Sequence, residues 1–124
     1  MLTTIIKRDG REVPFDAEKI TGAIMRAFLA TEGVDSRKAA EAVTGQVVRE
    51  LEADPDLQTP TVENIQDAVE RVLIESGYVQ TAKSYILYRA ERSRIREMNT
   101  RLMRIYADIT NKAAVDSDIK RENA

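Results

Sequence analysis

The chain has 124 residues and a formal net charge of −2, which suits one domain and supplies no global field that would attract nucleic acid. Cysteine and histidine are absent, which excludes disulfides, thiol nucleophiles, imidazole bases and the usual zinc ligands. Because the sequence has neither a long apolar run nor a signal-peptide pattern, we expect a cytoplasmic protein without membrane contact.

The N-terminal residues predict a tight β-hairpin that leads directly into a helix. The Asp-Gly pair at 9–10 favours a two-residue turn with positive φ at both positions. That turn would place Arg8 opposite Arg11 on one face of the hairpin. Two like charges that face each other are unfavourable, so either both point into water or an anion lies between them and Lys19.

Four helical segments follow the hairpin, each with apolar residues at helical spacing. A short edge strand at 57–59 would extend the hairpin to three strands. The polar composition of residues 107–124 predicts a linker. The first predicted helix spans about 17–30, with Asp16 as its N-cap and Gly33 after its end, and the second spans about 36–53, with Asp35 or Ser36 as its N-cap. The third runs from Thr59 or Thr61 to Gly77, and the fourth runs from Tyr78 to Tyr106.

Lys19 is expected in the first turn of the first helix, where the helix dipole disfavours a cation. A phosphate bound beside the free N–H groups of that turn would explain the residue. The ordinary alternative is a side chain that bends into solvent. With Lys7 and Arg8 brought close by the hairpin, we expect an anion site at this junction.

Basic residues outnumber acidic ones between Lys83 and Arg104, a pattern that usually marks a solvated helix face. Lys83, Tyr88 and Arg89 combine donors with aromatic faces, which also suits contact with a base or a phosphate. A nucleic-acid or helix-partner module is an alternative for this basic segment. There is no phosphate-binding glycine motif, catalytic carboxylate pair or metal cluster, so we expect no catalysis by this chain.

Four short motifs occur in the order that is characteristic of the ATP-cone, a nucleotide-sensing domain found mostly at the N-terminus of ribonucleotide reductases. The resemblance covers about residues 2–92; each motif is weak alone, but the four in this order are fairly specific. The matching pieces are Lys7-Arg8-Asp9-Gly10, Phe15-Asp16-x-x-Lys19-Ile20, Thr61-Val62-Glu63-Asn64-Ile65-Gln66-Asp67-x-Val69-Glu70, and Ala82-Lys83-x-Tyr85-Ile86-x-Tyr88-Arg89.

The resemblance implies an α+β, mainly α fold, in which a small three-stranded β cap covers a four-helix bundle. It also implies that ATP, which activates the reductase, or dATP, which inhibits it, binds between the hairpin and the helices, with or without Mg²⁺. By position, the cations Lys7, Arg8 and Lys19 would hold the phosphates. Ile5, Val13 and Ile20 would surround the base, Asp16 would bond to the base or cap the helix, and Thr61 resembles a nucleotide-contacting position. Some family members have a basic residue where this chain has Glu91, and Lys83, Tyr88 and Arg89 would substitute for it.

The C-terminal stretch, which ends in Arg121-Glu122-Asn123-Ala124, resembles the start of the catalytic region of anaerobic, glycyl-radical (class III) reductases. The resemblance implies an ATP-cone over 1–92 and a helical extension and linker over 93–124 that lead into a catalytic domain outside this chain. That domain and a nucleotide-dependent oligomer are then the implied partners.

Two further interpretations stay open at this point. A transcriptional repressor of reductase genes carries the same cone, but it normally has a zinc ribbon of paired cysteines, which this chain lacks. ATP hydrolysis is disfavoured because no phosphate loop or base is evident.

Overall fold

The computed structural model describes residues 2–31 and 36–122, which are mainly helical, as the sequence predicts. These residues divide into two compact units, one ending at Leu87 and one beginning at Tyr88. In chain order, the elements are strands β1 (Thr4–Ile6) and β2 (Glu12–Pro14) and helices α1 (Ala17–Thr31), α2 (Arg37–Ala53), α3 (Val62–Glu75) and α4 (Val79–Glu122).

The hairpin is present, but its predicted register is wrong by one residue. Ile5 pairs with Val13, and Lys7 donates its backbone N–H to the Arg11 carbonyl at 2.8 Å, so Arg11 faces Lys7 and not Arg8. Positive φ occurs at Gly10, at 88°, and at no described residue other than glycine. The loop therefore has three residues and ends in a left-handed glycine, an arrangement that leaves Asp9 in an ordinary conformation.

The predicted third strand at 57–59 is also wrong for the described chain, in which the sheet has two strands. A single parallel bridge joins Ile6 to Thr61, and the Ile6 N–H donates to the Pro60 carbonyl at 2.9 Å. Pro60 has no N–H to return, and the Leu57 N–H donates to Asp54 in a turn. These two local features limit the pairing to one bridge.

The predicted caps of α1 and α3 are confirmed. The Asp16 carboxylate accepts the backbone N–H of Glu18 at 3.1 Å. The Thr61 hydroxyl accepts the backbone N–H of Asn64 at 3.1 Å, while the Asn64 side chain accepts the Thr61 N–H at 2.9 Å. This reciprocal pair is a capping box, which satisfies two N–H groups that the helix itself leaves unpaired.

The other predicted helix boundaries have different outcomes. Gly77 follows α3 with a φ of 88°, and the N–H groups of Gly77 and Tyr78 donate back to the last turn of α3, which closes the helix end. Ser36 is the N-cap of α2 but makes no side-chain capping hydrogen bond. The predicted signals at Gly33 and Asp35 lie outside the described residues.

One apolar core is formed by the first unit, and the predicted helical stripes supply it. The Phe28 and Tyr78 rings meet edge to face, with 4.8 Å between their centroids. Two hydroxyl pairs, Thr21 with Thr44 and Thr31 with Thr81, satisfy polar groups at the helix contacts. The buried apolar residues are Ile24, Ala27, Phe28, Ala40, Val43, Val47, Leu51, Ile65, Ala68, Val69, Val72, Leu73, Ala82 and Tyr85.

Helix α4 continues to Glu122, through most of the stretch in which the sequence predicts a linker. A polar composition does not by itself end a helix, and α4 contains no glycine or proline that would interrupt it. Of the motif expected at 121–124, residues 123–124 lie outside the described chain. None of the described helices is both long and apolar enough to pass through a membrane.

Candidate functional site

An open cleft with a volume of about 250 Å³ lies in the first unit, between the hairpin, the start of α1 and the first turns of α3. Its wall is mostly apolar, and two lysines and one aspartate are the charged residues in it. The lining residues are Ile5, Lys7, Val13, Pro14, Phe15, Asp16, Lys19, Ile20, Ala23, Val62, Ile65, Gln66 and Tyr85.

The hairpin contributes one face of alternate residues to the cleft. Because Ile5 pairs with Val13, these two side chains and that of Lys7 lie on the same side of the strands. With the predicted register, Val13 would have faced Ile6, and the set that lines the cleft would have been different. The three-residue loop therefore decides which hairpin side chains form this wall.

Helix α1 contributes its first two turns. Asp16 caps the helix, and Lys19, Ile20 and Ala23 follow at intervals of three and four residues, so they lie on one helix face. The backbone N–H groups of the first turn point toward the same end of the helix as Lys19. An anion at this position would meet both the amine and the positive end of the helix dipole.

Lys7 and Lys19 are the cations of the cleft, and both are exposed to solvent. In the part of the chain that the structure describes, neither amine has a hydrogen-bond or ion-pair partner. Two unpaired ammonium groups beside an apolar wall can hold a ligand that has an anionic end and a flat apolar end.

Arg8 takes a different direction from the one the sequence predicts. Its Nε lies 3.0 Å from Glu63 Oε1, and its Nη2 donates to Gln66 Oε1 at 3.3 Å. The guanidinium group therefore ties the hairpin tip to α3, and Arg8 is not part of the cleft wall. It reaches the cleft indirectly, since Gln66 lines it.

Arg11, the other arginine of the hairpin, binds Asp9 within the loop. The Arg11 backbone N–H donates to Asp9 Oδ1 at 3.1 Å, and its Nε donates to Oδ2 at 2.7 Å. These bonds hold the pKa of the Asp9 carboxyl below its ordinary value of 3.8, mainly through the backbone N–H. Asp9 therefore neutralises Arg11 locally and leaves Lys7 as the hairpin's cation at the cleft.

The other predicted contacts are not brought into the cleft. Thr61 is engaged as the cap of α3, the ordinary role that the sequence already indicates for it. Lys83 belongs to the first unit and is exposed, but it does not line the cleft. Tyr88 and Arg89 belong to the second unit.

Several wall residues were not assigned from the sequence. Val62, Ile65 and Gln66 lie within a motif that matches the ATP-cone, and their spacing of three and four residues puts them on one face of α3. Tyr85, which is 7% exposed, also lines the cleft, although tyrosine at helical spacing is usually a core residue. The helical spacing within each motif is the signal that could have identified them.

No group of three His, Cys, Asp or Glu side chains that could hold a metal ion occurs among the described residues. The cleft itself offers two amines, one carboxylate and an apolar wall. Its chemistry is that of a binding site with cationic and apolar parts.

Comparison with protein families gives one match that covers most of the chain. Residues 3–94 match the ATP cone domain family, which confirms the resemblance deduced from the four motifs. The matched range contains the hairpin, α1 to α3 and the whole cleft wall.

Individual relatives of the chain are ribonucleotide reductases. The vitamin B12-dependent ribonucleoside-diphosphate reductase of Thermoplasma acidophilum is 44% identical over 78% of this chain. The anaerobic ribonucleoside-triphosphate reductases of Salmonella typhimurium and Escherichia coli are 34% and 32% identical, and their alignments cover 99% of the chain. The chain spans only 13% of the first relative and 17% of the other two.

Proposed function

Because this chain belongs to the ATP-cone family, we propose that it is the adenine-nucleotide-binding regulatory domain of a larger ribonucleotide reductase. The observation that carries the proposal is the cleft, in which two unpaired amines lie beside an apolar wall at the start of a helix. The chemical steps of nucleotide reduction would take place in residues beyond this chain.

The phosphates are assigned to the junction of the hairpin and α1. Lys7 and Lys19 are free to form charge-assisted hydrogen bonds, and the N–H groups of the first turn of α1 supply further donors. Arg8 becomes a phosphate ligand only if it leaves Glu63 and Gln66. A Mg²⁺ ion that accompanies the nucleotide would be held chiefly by the phosphate oxygens.

The base is assigned to the apolar part of the same wall. Ile5, Val13 and Ile20 border this part, and Tyr85 adds an aromatic ring. The Asp16 carboxylate can accept from the exocyclic amine of adenine through the oxygen that does not cap α1. Four further predicted contacts do not line the cleft, and they would touch the nucleotide only if its binding rearranged the chain: Thr61, Lys83, Tyr88 and Arg89.

Regulation is proposed to follow from the difference of one 2′-hydroxyl between the two effectors. ATP would leave the reductase active and dATP would inhibit it, since each would stabilise a different arrangement of the hairpin on the helices. The cone over 1–92 would pass the signal through 93–124 to the catalytic domain of the same polypeptide, and a nucleotide-dependent oligomer is one form that the response can take.

An anaerobic reductase is the proposed parent enzyme. The alignments with the two anaerobic relatives extend over 99% of the chain, whereas that with the vitamin B12-dependent relative covers 78%. The alignments with the anaerobic relatives therefore include the C-terminal stretch of this chain. The repressor and nucleic-acid interpretations gain no comparable support from these matches.

Isothermal titration calorimetry of the chain with ATP, dATP and GTP tests the proposal. We expect both adenine nucleotides to bind and GTP to bind much more weakly. Lys7→Ala and Lys19→Ala should each raise the dissociation constant by about tenfold or more, because each removes a charged hydrogen bond to phosphate.

Lys38→Ala is the matched control, since Lys38 is an exposed lysine of α2 that does not line the cleft. It should leave the affinity for ATP and dATP unchanged. Equal affinity of the wild type, Lys7→Ala and Lys19→Ala chains for dATP would show that the phosphates bind elsewhere.

A further inference from the structure

The second unit carries a continuous row of apolar side chains that are exposed to solvent. Met98, Leu102, Ile105 and Ile109 are 44%, 55%, 51% and 62% exposed. Ile95, one turn before them, is partly exposed. A contiguous apolar surface of this kind marks an interaction site on a helix that is otherwise polar.

The spacing of this row is that of a helix that pairs with another helix. From Ile95 to Ile109, the intervals are three, four, three and four residues, which gives an average repeat of 3.5. Such a repeat keeps one narrow stripe along a helix facing a partner helix. The residues between them are mostly polar or charged, so the stripe has clear edges.

We propose that this stripe, Ile95 to Ile109 of α4, pairs with the same stripe of a second copy of the chain in antiparallel orientation. In that arrangement, Leu102 packs on Ile105 of the second copy, and Met98 packs on Ile109 of the second copy. Two-fold symmetry repeats each contact, so four apolar layers are buried.

Charge complementarity selects the antiparallel orientation. Arg101 and Asp108 flank the stripe on the same side, and neither has a partner in the described chain. With Leu102 opposite Ile105, Arg101 of one copy lies beside Asp108 of the other, and this pair also occurs twice. On the opposite edge of the stripe, the same pairing puts Asn99 of one copy beside Tyr106 of the other.

A parallel pairing of the same stripe is less favourable. Arg101 would then lie beside Tyr106 and would gain no opposite charge. Lys112, which continues the repeat after Ile109, would face the Lys112 of the second copy across the seam. In the antiparallel pair, Lys112 instead lies beside Ile95 at the open end, where its amine can reach water.

Sedimentation equilibrium of the whole chain without nucleotide, from micromolar to millimolar concentration, tests for the dimer. We expect reversible association for the wild type. Leu102→Glu should raise the dimer dissociation constant by more than about tenfold, because it puts unpaired carboxylates into the central layers. Met103→Glu is the matched control, since Met103 is 66% exposed and lies outside the stripe.

The pair of Arg101 and Asp108 allows a second, independent test of the dimer. Arg101→Asp and Asp108→Arg should each weaken the dimer, because each puts like charges side by side. The double variant restores opposite charges and should recover the wild-type dissociation constant to within about threefold. Recovery is expected for the antiparallel pair and not for the parallel one.

The orientation is measured directly by cross-linking, since the chain has no cysteine of its own. A mixture of single Met98→Cys and Ile109→Cys variants should form the mixed disulfide dimer on mild oxidation. Met98→Cys alone should not, because the two sulfurs would be about 16 Å apart along the antiparallel helices. Cross-linking of Met98→Cys with itself, or a monomer at all concentrations, overturns the proposal.

These measurements are made without nucleotide, so they do not depend on the proposed function. Leu102→Glu should bind dATP as the wild type does, since Leu102 belongs to the second unit and the cleft to the first. Loss of the dimer with retained binding therefore separates the two proposals.

Discussion

The two units of this chain use the same kind of helical pattern in opposite ways. In the first unit, Leu73 of α3 is completely buried, whereas Leu102 of α4 in the second unit is 55% exposed. Both leucines belong to regular apolar stripes on their helices. An apolar stripe therefore predicts an interface but not whether the partner is part of the same chain.

The largest difference between the units should appear when each leucine is shortened. Leu73→Ala should reduce the free energy of unfolding by about 2 to 5 kcal/mol, because it leaves a cavity in the core. Leu102→Ala should change it by less than about 0.5 kcal/mol at micromolar concentration. Urea denaturation followed by circular dichroism measures both, and equal losses would contradict the comparison.

A smaller difference is expected from backbone substitutions. Gly77→Ala should cost about 1 to 2 kcal/mol, because Gly77 has a φ of 88° at the end of α3 and alanine is strained there. Ala107→Gly should cost the α4 helix about 1 kcal/mol locally. The denaturation midpoint of the first unit should fall with Gly77→Ala and remain unchanged with Ala107→Gly.

The helical circular dichroism signal provides the complementary readout for Ala107→Gly. It should decrease, because no residue whose burial is described past Leu87 belongs to the buried core, so this part of α4 depends mainly on backbone propensity to stay helical. If Ala107→Gly moved the midpoint of the first unit, the two units would be more strongly coupled than this comparison assumes.

The smallest effects concern one exposed ion pair in each unit. The pKa of Glu91 lies below its ordinary value of 4.5 through the side chain of Arg94, and that of Asp9 lies below 3.8 mainly through the backbone N–H of Arg11. Arg94→Ala should therefore return the pKa of Glu91 fully to its ordinary value. Arg11→Ala should return that of Asp9 only in part, since the N–H remains.

Carboxyl carbon NMR titrations measure both pKa values. A carboxyl whose pKa is lowered by folding stabilises the folded state above its unfolded pKa, and this contribution is lost as the pH falls through the folded pKa. Acidification should thus weaken the Glu91 pair as the pH falls below about 4.5, and the Asp9 loop as the pH falls below about 3.8. An Asp9 pKa fully restored by Arg11→Ala would contradict the backbone explanation.

Much of the fold was predictable because local interactions specify it. Helices α1 to α3 begin and end close to their predicted positions, and the caps Asp16 and Thr61 make the expected hydrogen bonds. Helix α4 is the exception, because it continues to Glu122 where a linker was predicted. The absence of a third strand at 57–59 was not predictable by the same means. It depends on which backbone groups of 57–60 are already bonded in a turn, and that is visible only in three dimensions.

The candidate site shows the same division. Six predicted residues line the cleft, namely Ile5, Lys7, Val13, Asp16, Lys19 and Ile20. Arg8 does not, because Glu63 and Gln66, more than fifty positions away in the chain, bind its guanidinium group. No local pattern predicts such a partner.

The sequence by itself determined where α1 to α3 lie, how α1 and α3 are capped, which faces are apolar and which family the motifs belong to. All of these follow from residues within a few positions of one another. The tertiary structure decided the hairpin register, the partner of Arg8 and the lysines left free at the cleft. The partner of Arg8 depends on a contact between distant segments, which no local pattern specifies. The register depends on a choice between two-residue and three-residue loops, whose energies differ too little for the local pattern to rank them.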